Sequence, residues 1–232
     1  MSVGSEDLSM ARGFSVDNPG IKGILFDLDG TLIDTYQTIL QSLQYAVRKV
    51  LHTEIPAKRL MSKVGQPLVD QVADFCDTEE QCNQVLAVYR ARNAEVHDEL
   101  TRGFPGCAEA LDSLLEKGFV LGVVTSKMHR PAEDGLKLFN LQDKVSCLVG
   151  ADDCEHHKPH PEPVCRGAAL LGLKPEECVY VGDSPFDIQS GNAAGAITLA
   201  ALWGMFTAEE LQAQNPTYQS SSITKCAEFL RS

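Results

Sequence analysis

The sequence predicts an α/β fold, a parallel sheet wound on both faces and interrupted by an all-helical insertion. Three observations lead there. A short buried strand ends on Asp27-Leu28-Asp29-Gly30-Thr31. From residue 104 onward, β-rich runs alternate with amphipathic segments, the pattern of βαβ units. Between the two, residues 35–102 keep a helical character with no strand signal.

The elements follow in order. Residues 21–26, Ile-Lys-Gly-Ile-Leu-Phe, are an apolar strand, and Asp29-Gly30 marks a turn at its carboxyl end. Residues 35–51 put Ile39, Leu40, Leu43, Ala46, Val47, Val50 and Leu51 on one face, which predicts a helix with Asp34 or Thr35 as N-cap. Residues 69–75 and 79–97 are the clearest later helical stretches, and Gly65-Gln66-Pro67 breaks the run with a loop. Phe104-Pro105-Gly106 opens a helix over 107–116, stopped by Lys117-Gly118. Strands are then expected at 119–124, 146–150, 178–181 and 197–202, with helices at 131–139, 163–171 and 187–194 between them. The first 19 residues are polar and Gly/Ser-containing, without the basic and apolar regions of a signal peptide, and read as a flexible tail. The organisation expected is a core over 20–34 and 103–232 with an inserted helical domain over 35–102.

Composition narrows the function. A chain of 232 residues with a formal charge of −12 argues against nucleic acid or an anionic membrane as partner. No apolar run reaches the roughly 18 residues that span a bilayer. The eight cysteines contain no CxxC pair and several fall in apolar segments, which favours a reduced, cytoplasmic protein over a disulfide-stapled one. Monomer and homodimer are equally compatible with the sequence.

Ligands of wound parallel sheets sit beyond the carboxyl ends of the strands, so the residues there should carry the chemistry. Asp27 and Asp29 follow the first strand, and Thr125 and Ser126 follow the second. Lys158, in His156-His157-Lys158-Pro159-His160-Pro161, follows the third. Gly182-Asp183-Ser184-Pro185-Phe186-Asp187 follows the fourth. Two carboxylates with a Gly-Thr turn can form a nest for a divalent cation and a phosphate, hydroxyl and amide donors suit phosphate oxygens, and a lysine offsets charge. Each cluster also has a plainer reading. Thr125 and Ser126 could cap the next helix, Lys158 could be a solvated loop lysine, and Asp183 and Asp187 could support the helix that follows. His156, His157 and His160 could suggest a metal cluster, but Pro159 and Pro161 suit a stiff loop and an oxygen-ligand site is already supplied. Four suitable clusters on four strand ends weigh more than any one of them.

On these motifs the chain resembles the haloacid dehalogenase-like superfamily of phosphohydrolases. Asp27-x-Asp29-Gly30-Thr31, Thr125, Lys158-Pro159 and Gly182-Asp183-(x3)-Asp187 match its four motifs in order, and the likeness runs from Ile21 onward. Gly65-Gln66-Pro67-Leu68, Thr125-Ser126-Lys127 and the proline-rich segment from Lys158 to Pro163 are most similar to its phosphoglycolate phosphatase and bacterial pyrophosphatase branch. The resemblance implies a Rossmann-like three-layer core with a helical cap over 35–102. It implies Asp27 as nucleophile, Asp29 as general acid and base, and catalytic roles for Thr125 and Lys158. Gly30, Thr31 and Ser126 would bind phosphate, and Gly65 and Gln66 would form the substrate loop of the cap. Mg²⁺ would be held by Asp27, Asp29 through its carbonyl, Asp183 and Asp187, with Asp187 a ligand or an outer anchor. The expected substrate is a small phosphorylated metabolite, phosphoglycolate foremost, with pyrophosphate and a sugar phosphomutase activity as alternatives.

Other members of the superfamily fit less well. Haloacid dehalogenases and phosphonoacetaldehyde hydrolases depart from the pattern at Asp29, and the latter need a cap lysine, for which Lys58 and Lys63 read better as surface residues. A catalytically silent binding protein would lack the nucleophile, the lysine or a metal aspartate, and this chain has all of them.

Overall fold

The computed structural model describes residues 20–231, so the expected tail over 1–19 lies outside the described residues. Gly23–Phe26 forms β1, in which Ile24 and Phe26 face one layer of helices and Leu25 the other, as the period of two in a strand requires. All are apolar because both faces are covered.

After the turn at 27–31, Ile33–Asp34 forms β2, and the chain enters four helices: α1 (Tyr36–Leu51), α2 (Ala57–Met61), α3 (Leu68–Ala73) and α4 (Glu79–Leu100). It returns as β3 (Arg102–Gly103), which pairs antiparallel with β2. Both crossings between the helical part and the sheet therefore run through one two-stranded ribbon. Strands of two residues leave no periodicity, and the sequence pattern did not reveal them. The helical part has an apolar cluster of its own, with Leu43, Val47, Leu60, Val72 and Val85 at its centre. The α1 start is closed by Asp34, whose Oδ1 accepts the Tyr36 N–H at 3.1 Å, while the Thr35 hydroxyl makes no cap bond.

The remainder alternates as expected: α5 (Cys107–Glu116), β4 (Val120–Val124), α6 (His129–Leu138), β5 (Cys147–Val149), α7 (Glu162–Leu170), β6 (Cys178–Gly182), α8 (Pro185–Ala194) and β7 (Ile197–Ala201). It continues, beyond the elements expected from the sequence, through α9 (Ala208–Gln212), β8 (Tyr218–Ser220) and α10 (Ile223–Arg231). The α10 signal was present, since Ile223, Cys226, Ala227 and Leu230 share a buried face at helical spacing. β8 is a polar edge strand, Tyr-Gln-Ser, with no pattern to find.

The six-stranded sheet has the order β5-β4-β1-β6-β7-β8, every pair parallel. α5, α6 and α10 cover one face, packing Leu111, Leu136 and Leu230 on Ile24, Phe26 and Val181. On the other face Val164 and Ala168 of α7 meet Leu25, Val124 and Tyr180. The chain runs outward from β1 to β4 and β5 on one side, and to β6, β7 and β8 on the other. The carboxyl end of β1 thus lies at the switch point where ligands bind in such sheets. All eight cysteines are unpaired, and no described helix is long and apolar enough to cross a membrane.

Candidate active site

Asp27 follows β1 directly and its N–H continues the ladder to the Val181 carbonyl at 2.8 Å, which fixes the residue at the sheet's centre. Its Oδ1 meets the Lys158 ammonium at 2.7 Å. Lys158 is wholly buried, far from the solvated loop lysine that remained a reading of the sequence. It spends its three N–H bonds on Asp27 Oδ1 (2.7 Å), Asp187 Oδ1 (2.7 Å) and the Val124 carbonyl (2.9 Å). A buried cation needs such pairing to remain charged. Burial alone would lower its pKa, but the Asp187 and Asp27 carboxylates outweigh burial and raise it.

Asp183 is also buried, and Asp27, Asp183 and Asp187 each bring a carboxylate oxygen within 4.8 Å of the others. Burial pushes the Asp27 carboxyl up to about 7, against the pull of Lys158 and helped by the charge of Asp187. Burial with the Asp27 and Asp187 charges raises Asp183 well above the usual carboxylate range, although Met205 N–H and the Thr31 hydroxyl oppose this. One lysine does not balance three buried carboxylates. An oxygen-only donor set carrying surplus negative charge fits a hard divalent cation such as Mg²⁺.

Of the four residues expected as metal ligands, Asp27, Asp183 and Asp187 converge and the Asp29 side chain does not. Asp187 has its carboxylate filled: Oδ1 takes Lys158 and the Tyr180 hydroxyl (3.0 Å), and Oδ2 takes the N–H and Oγ of Ser184 at 3.0 and 2.6 Å. With Ser184 capping Asp187 N–H in return, it closes α8 as a capping box, so the plainer reading of Asp187 describes much of its role. Asp183 takes Thr31 Oγ1 at 3.0 Å and Met205 N–H at 2.7 Å, which orient it and leave lone pairs free. The Asp29 side chain stands apart from this triad and pairs with Lys127, whose Nζ lies 2.8 Å from Oδ1 and 3.2 Å from Oδ2.

Two residues expected to contact phosphate are used otherwise. Thr31 is fully buried and gives its hydroxyl to Asp183, and the Gly30 N–H is spent on the Ile33 carbonyl at 2.7 Å. Gly30 matters sterically: its φ is +88°, and a Cβ there would collide with the Asp183 carboxylate. The backbone N–H groups of Leu28, Asp29 and Ser126 have no acceptor among the described residues, so they are the donors left for an anion. Thr125 stands beside them, buried, its Oγ1 accepting Lys127 N–H at 3.3 Å.

The loop at Gly65 and Gln66 is brought over these groups. The Ser126 hydroxyl donates to the Gly65 carbonyl at 2.6 Å, and Gly65, at φ +103°, lies so close to Ser184 that a Cβ would overlap its side chain. Together the helical part and the strand ends enclose a cleft of about 1200 Å³ with Asp27, Asp29, Thr125 and Lys127 on its floor side. Lys127, Tyr180 and the segment after β7 were not singled out from the sequence as parts of the site. Trp203 Nε1 donates to the Thr31 carbonyl at 3.0 Å, and Met205 and Phe206 pack on the helical part's apolar cluster. Lys127 was visible only within the Thr-Ser-Lys string. The other residues carry no local signal, because a strand tyrosine and a Trp-Gly loop read as ordinary core and turn. His156 and His160, set aside as a metal cluster, stack at 4.4 Å beside Glu162, which accepts the N–H of Glu155, the N–H of His156 and His156 Nδ1.

The sequence model of the haloacid dehalogenase-like hydrolases matches residues 24–201. A PpaX-named relative in Caldanaerobacter subterraneus subsp. tengcongensis is 40% identical over 198 residues, spanning 85% of this chain and 89% of the relative. Pyrophosphatase PpaX of Anoxybacillus flavithermus is 34% identical, spanning 90% of this chain and 97% of its own. Among solved structures, a predicted phosphoglycolate phosphatase from Haemophilus somnus 129pt superposes with a TM-score of 0.82 at 24% identity, covering 90% of this chain and 97% of that one.

Proposed function

The chain belongs to the haloacid dehalogenase-like hydrolases and is an enzyme of the phosphatase type, and on that footing we propose that it hydrolyses a small phosphate monoester with Mg²⁺ through a phosphoryl group carried on Asp27. The observation that carries this reading is the meeting of Asp27, Lys158 and Asp183 at the end of β1, beside three backbone N–H groups without acceptors.

Each residue then has a physical task. The Asp27 oxygen opposite Lys158 attacks phosphorus in line, and the leaving oxygen departs on the far side. Lys158 neutralises both the carboxylate and the incoming phosphoryl oxygens, and it cannot swing away because Asp187 and Val124 hold it. Leu28, Asp29 and Ser126 N–H groups, with the Thr125 hydroxyl, are aimed at the charge that grows on the phosphoryl oxygens. Asp29 protonates the leaving group, then takes a proton from the water that cleaves the acyl phosphate. Mg²⁺ held by Asp27, Asp183 and the Asp29 carbonyl would neutralise phosphoryl charge that Lys158 alone cannot. Asp187 positions Lys158 and Ser184 rather than binding the ion. Residues 35–102 act as a cap whose Gly65-Gln66 loop covers the site. The unpaired cysteines support a reducing, cytoplasmic setting.

The PpaX relatives favour a second reading, hydrolysis of pyrophosphate by the same groups. The test is a p-nitrophenyl phosphate assay with and without Mg²⁺, joined to acid quenching. The expected result is cation-dependent release of p-nitrophenol, with phosphate recovered on the peptide containing Asp27. Undiminished turnover in Asp27→Asn would sink the reading.

A further inference from the structure

Outside the cleft, His156, His160 and Glu162 each bring a ring nitrogen or a carboxylate oxygen within 4.8 Å of the other two. Both histidines are exposed. The side chains of His156 and Glu162 keep 57% and 30% of their surface open to solvent, so an ion reaches them without entering the cleft.

The three belong to the segment that carries Lys158. Lys158 turns inward to Asp27 and Asp187, while His156 and His160, two residues to either side, stay outside. Glu162 opens α7, and its carboxylate folds the segment back on itself. Oε1 accepts the Glu155 N–H at 2.9 Å, and Oε2 accepts the His156 N–H at 3.0 Å and His156 Nδ1 at 2.8 Å. A carboxylate has about four lone-pair sites, so these bonds leave room for an ion on Oε1. The two rings stack with centroids 4.4 Å apart, and the Ser190 hydroxyl anchors the His160 carbonyl at 2.7 Å. Pro159 and Pro161 stiffen the segment, so little freedom is left to lose when an ion binds.

The ring nitrogens suit coordination. His160 Nδ1 accepts the Glu162 N–H at 3.2 Å and so bears a lone pair. His156 Nδ1 carries the hydrogen it gives to Glu162. In neutral imidazole that hydrogen passes to Nε2, and an ion takes its place between ring and carboxylate. Two imidazoles and a carboxylate are a poor set for Mg²⁺ and a good one for Zn²⁺, with water in the fourth position. The buried aspartates are the reverse, an oxygen-only set, so the two clusters sort ions by chemistry.

We propose that His156, His160 and Glu162 bind one Zn²⁺ on the outer surface, where it staples the segment whose inner residue is Lys158. None of the three lines the cleft, so the site stands independently of the phosphohydrolase reading.

The experiment titrates the full chain, stripped of metal with EDTA and returned to millimolar Mg²⁺, with ZnCl₂ in a calorimeter. One Zn²⁺ per chain should bind with a Kd of about 10 µM or tighter. His156→Asn and His160→Asn should each weaken binding by at least about 100-fold, because each removes a ligand. His157→Asn should bind as the wild type does, since His157 lines the cleft instead. Zn²⁺ should also raise the melting midpoint of the wild type and not that of the His156 and His160 variants. Equal binding in the wild type and both of those variants, or an equal loss in His157→Asn, overturns the site. Co²⁺ in place of Zn²⁺ gives a reading on the wild type alone, which decides should a variant fail to fold. Visible bands without near-ultraviolet thiolate charge transfer support nitrogen and oxygen ligation. Thiolate bands would assign the ion to cysteine and overturn the proposal.

Discussion

The Ser126 hydroxyl donates to the Gly65 carbonyl at 2.6 Å, joining the strand-end loop after β4 to the loop between α2 and α3. One hydrogen bond thus ties the helical part to a residue whose own N–H faces the site. Ser126→Ala should loosen this contact by about 0.5–1.5 kcal/mol, roughly 2–10-fold in kcat/KM. The loss should fall mainly on KM, and hydrogen exchange of residues 62–67 should quicken. Gly65→Ala should cost more, since it adds backbone strain at φ +103° to a clash with Ser184. Unchanged exchange in Ser126→Ala would argue that the loop is held by packing alone.

Asp27→Asn should fold normally and lose activity by a factor on the order of 10³ or more, because an amide oxygen is too weak a nucleophile. Lys158 keeps Asp187 and the Val124 carbonyl as partners in this variant, so no buried charge is abandoned. A circular dichroism melt should therefore show a midpoint at or above that of the wild type.

Lys158→Ala does the opposite. It leaves Asp27 and Asp187 facing each other without their shared cation, and breaking a buried pair costs about 3–5 kcal/mol. Urea unfolding should register that loss, and activity should vanish with it. A destabilisation below about 1 kcal/mol would mean that water reaches the cluster, contrary to its burial here.

Chelation should lower stability in a pH-dependent way. The cation-free Asp27 carboxyl is raised from an ordinary 3.8 to about 7. A raised carboxyl favours the fold while protonated, so its contribution is full below the ordinary value and is lost as pH climbs toward about 7. In EDTA the melting temperature should fall across that window, less steeply in Asp27→Asn, and millimolar Mg²⁺ should restore it by binding only the folded state. A flat pH profile in EDTA would contradict the burial of Asp27.

Asp29→Asn separates the two half-reactions. p-Nitrophenolate leaves without a proton, so the variant should still show a burst of p-nitrophenol and then stall at the acyl phosphate. Alkyl phosphates, which need the acid, should lose on the order of 10²–10⁴ in rate. Lys127→Met, which removes the partner of the Asp29 carboxylate, should lower kcat on alkyl phosphates while sparing the burst.

The strands of the core were readable because a doubly covered parallel sheet demands apolar runs, and residues 21–26 and 178–181 carry little else. α1 was readable because one face must meet the apolar cluster of the helical part. The β2–β3 ribbon and β8 were not, since two or three residues hold no period. Asp27, Thr125, Lys158 and Asp183 were legible as residues that follow strands, a position visible along one dimension. What each group does with its bonds was not: the Thr31 hydroxyl goes to Asp183, the Asp187 oxygens to Lys158, Tyr180 and Ser184, and the Gly30 N–H to the Ile33 carbonyl.

The sequence by itself determined the α/β order, the helical insertion, the family and the strand ends on which Asp27, Thr125, Lys158 and Asp183 stand, because periodicity and turn residues are local properties. Tertiary structure alone decided which carboxylates share Lys158, that Lys127 takes Asp29, and that Ser126 meets Gly65. These are distances between residues 29 to 131 positions apart for Lys158 and 98 for Lys127, and a linear pattern carries no distance of that kind.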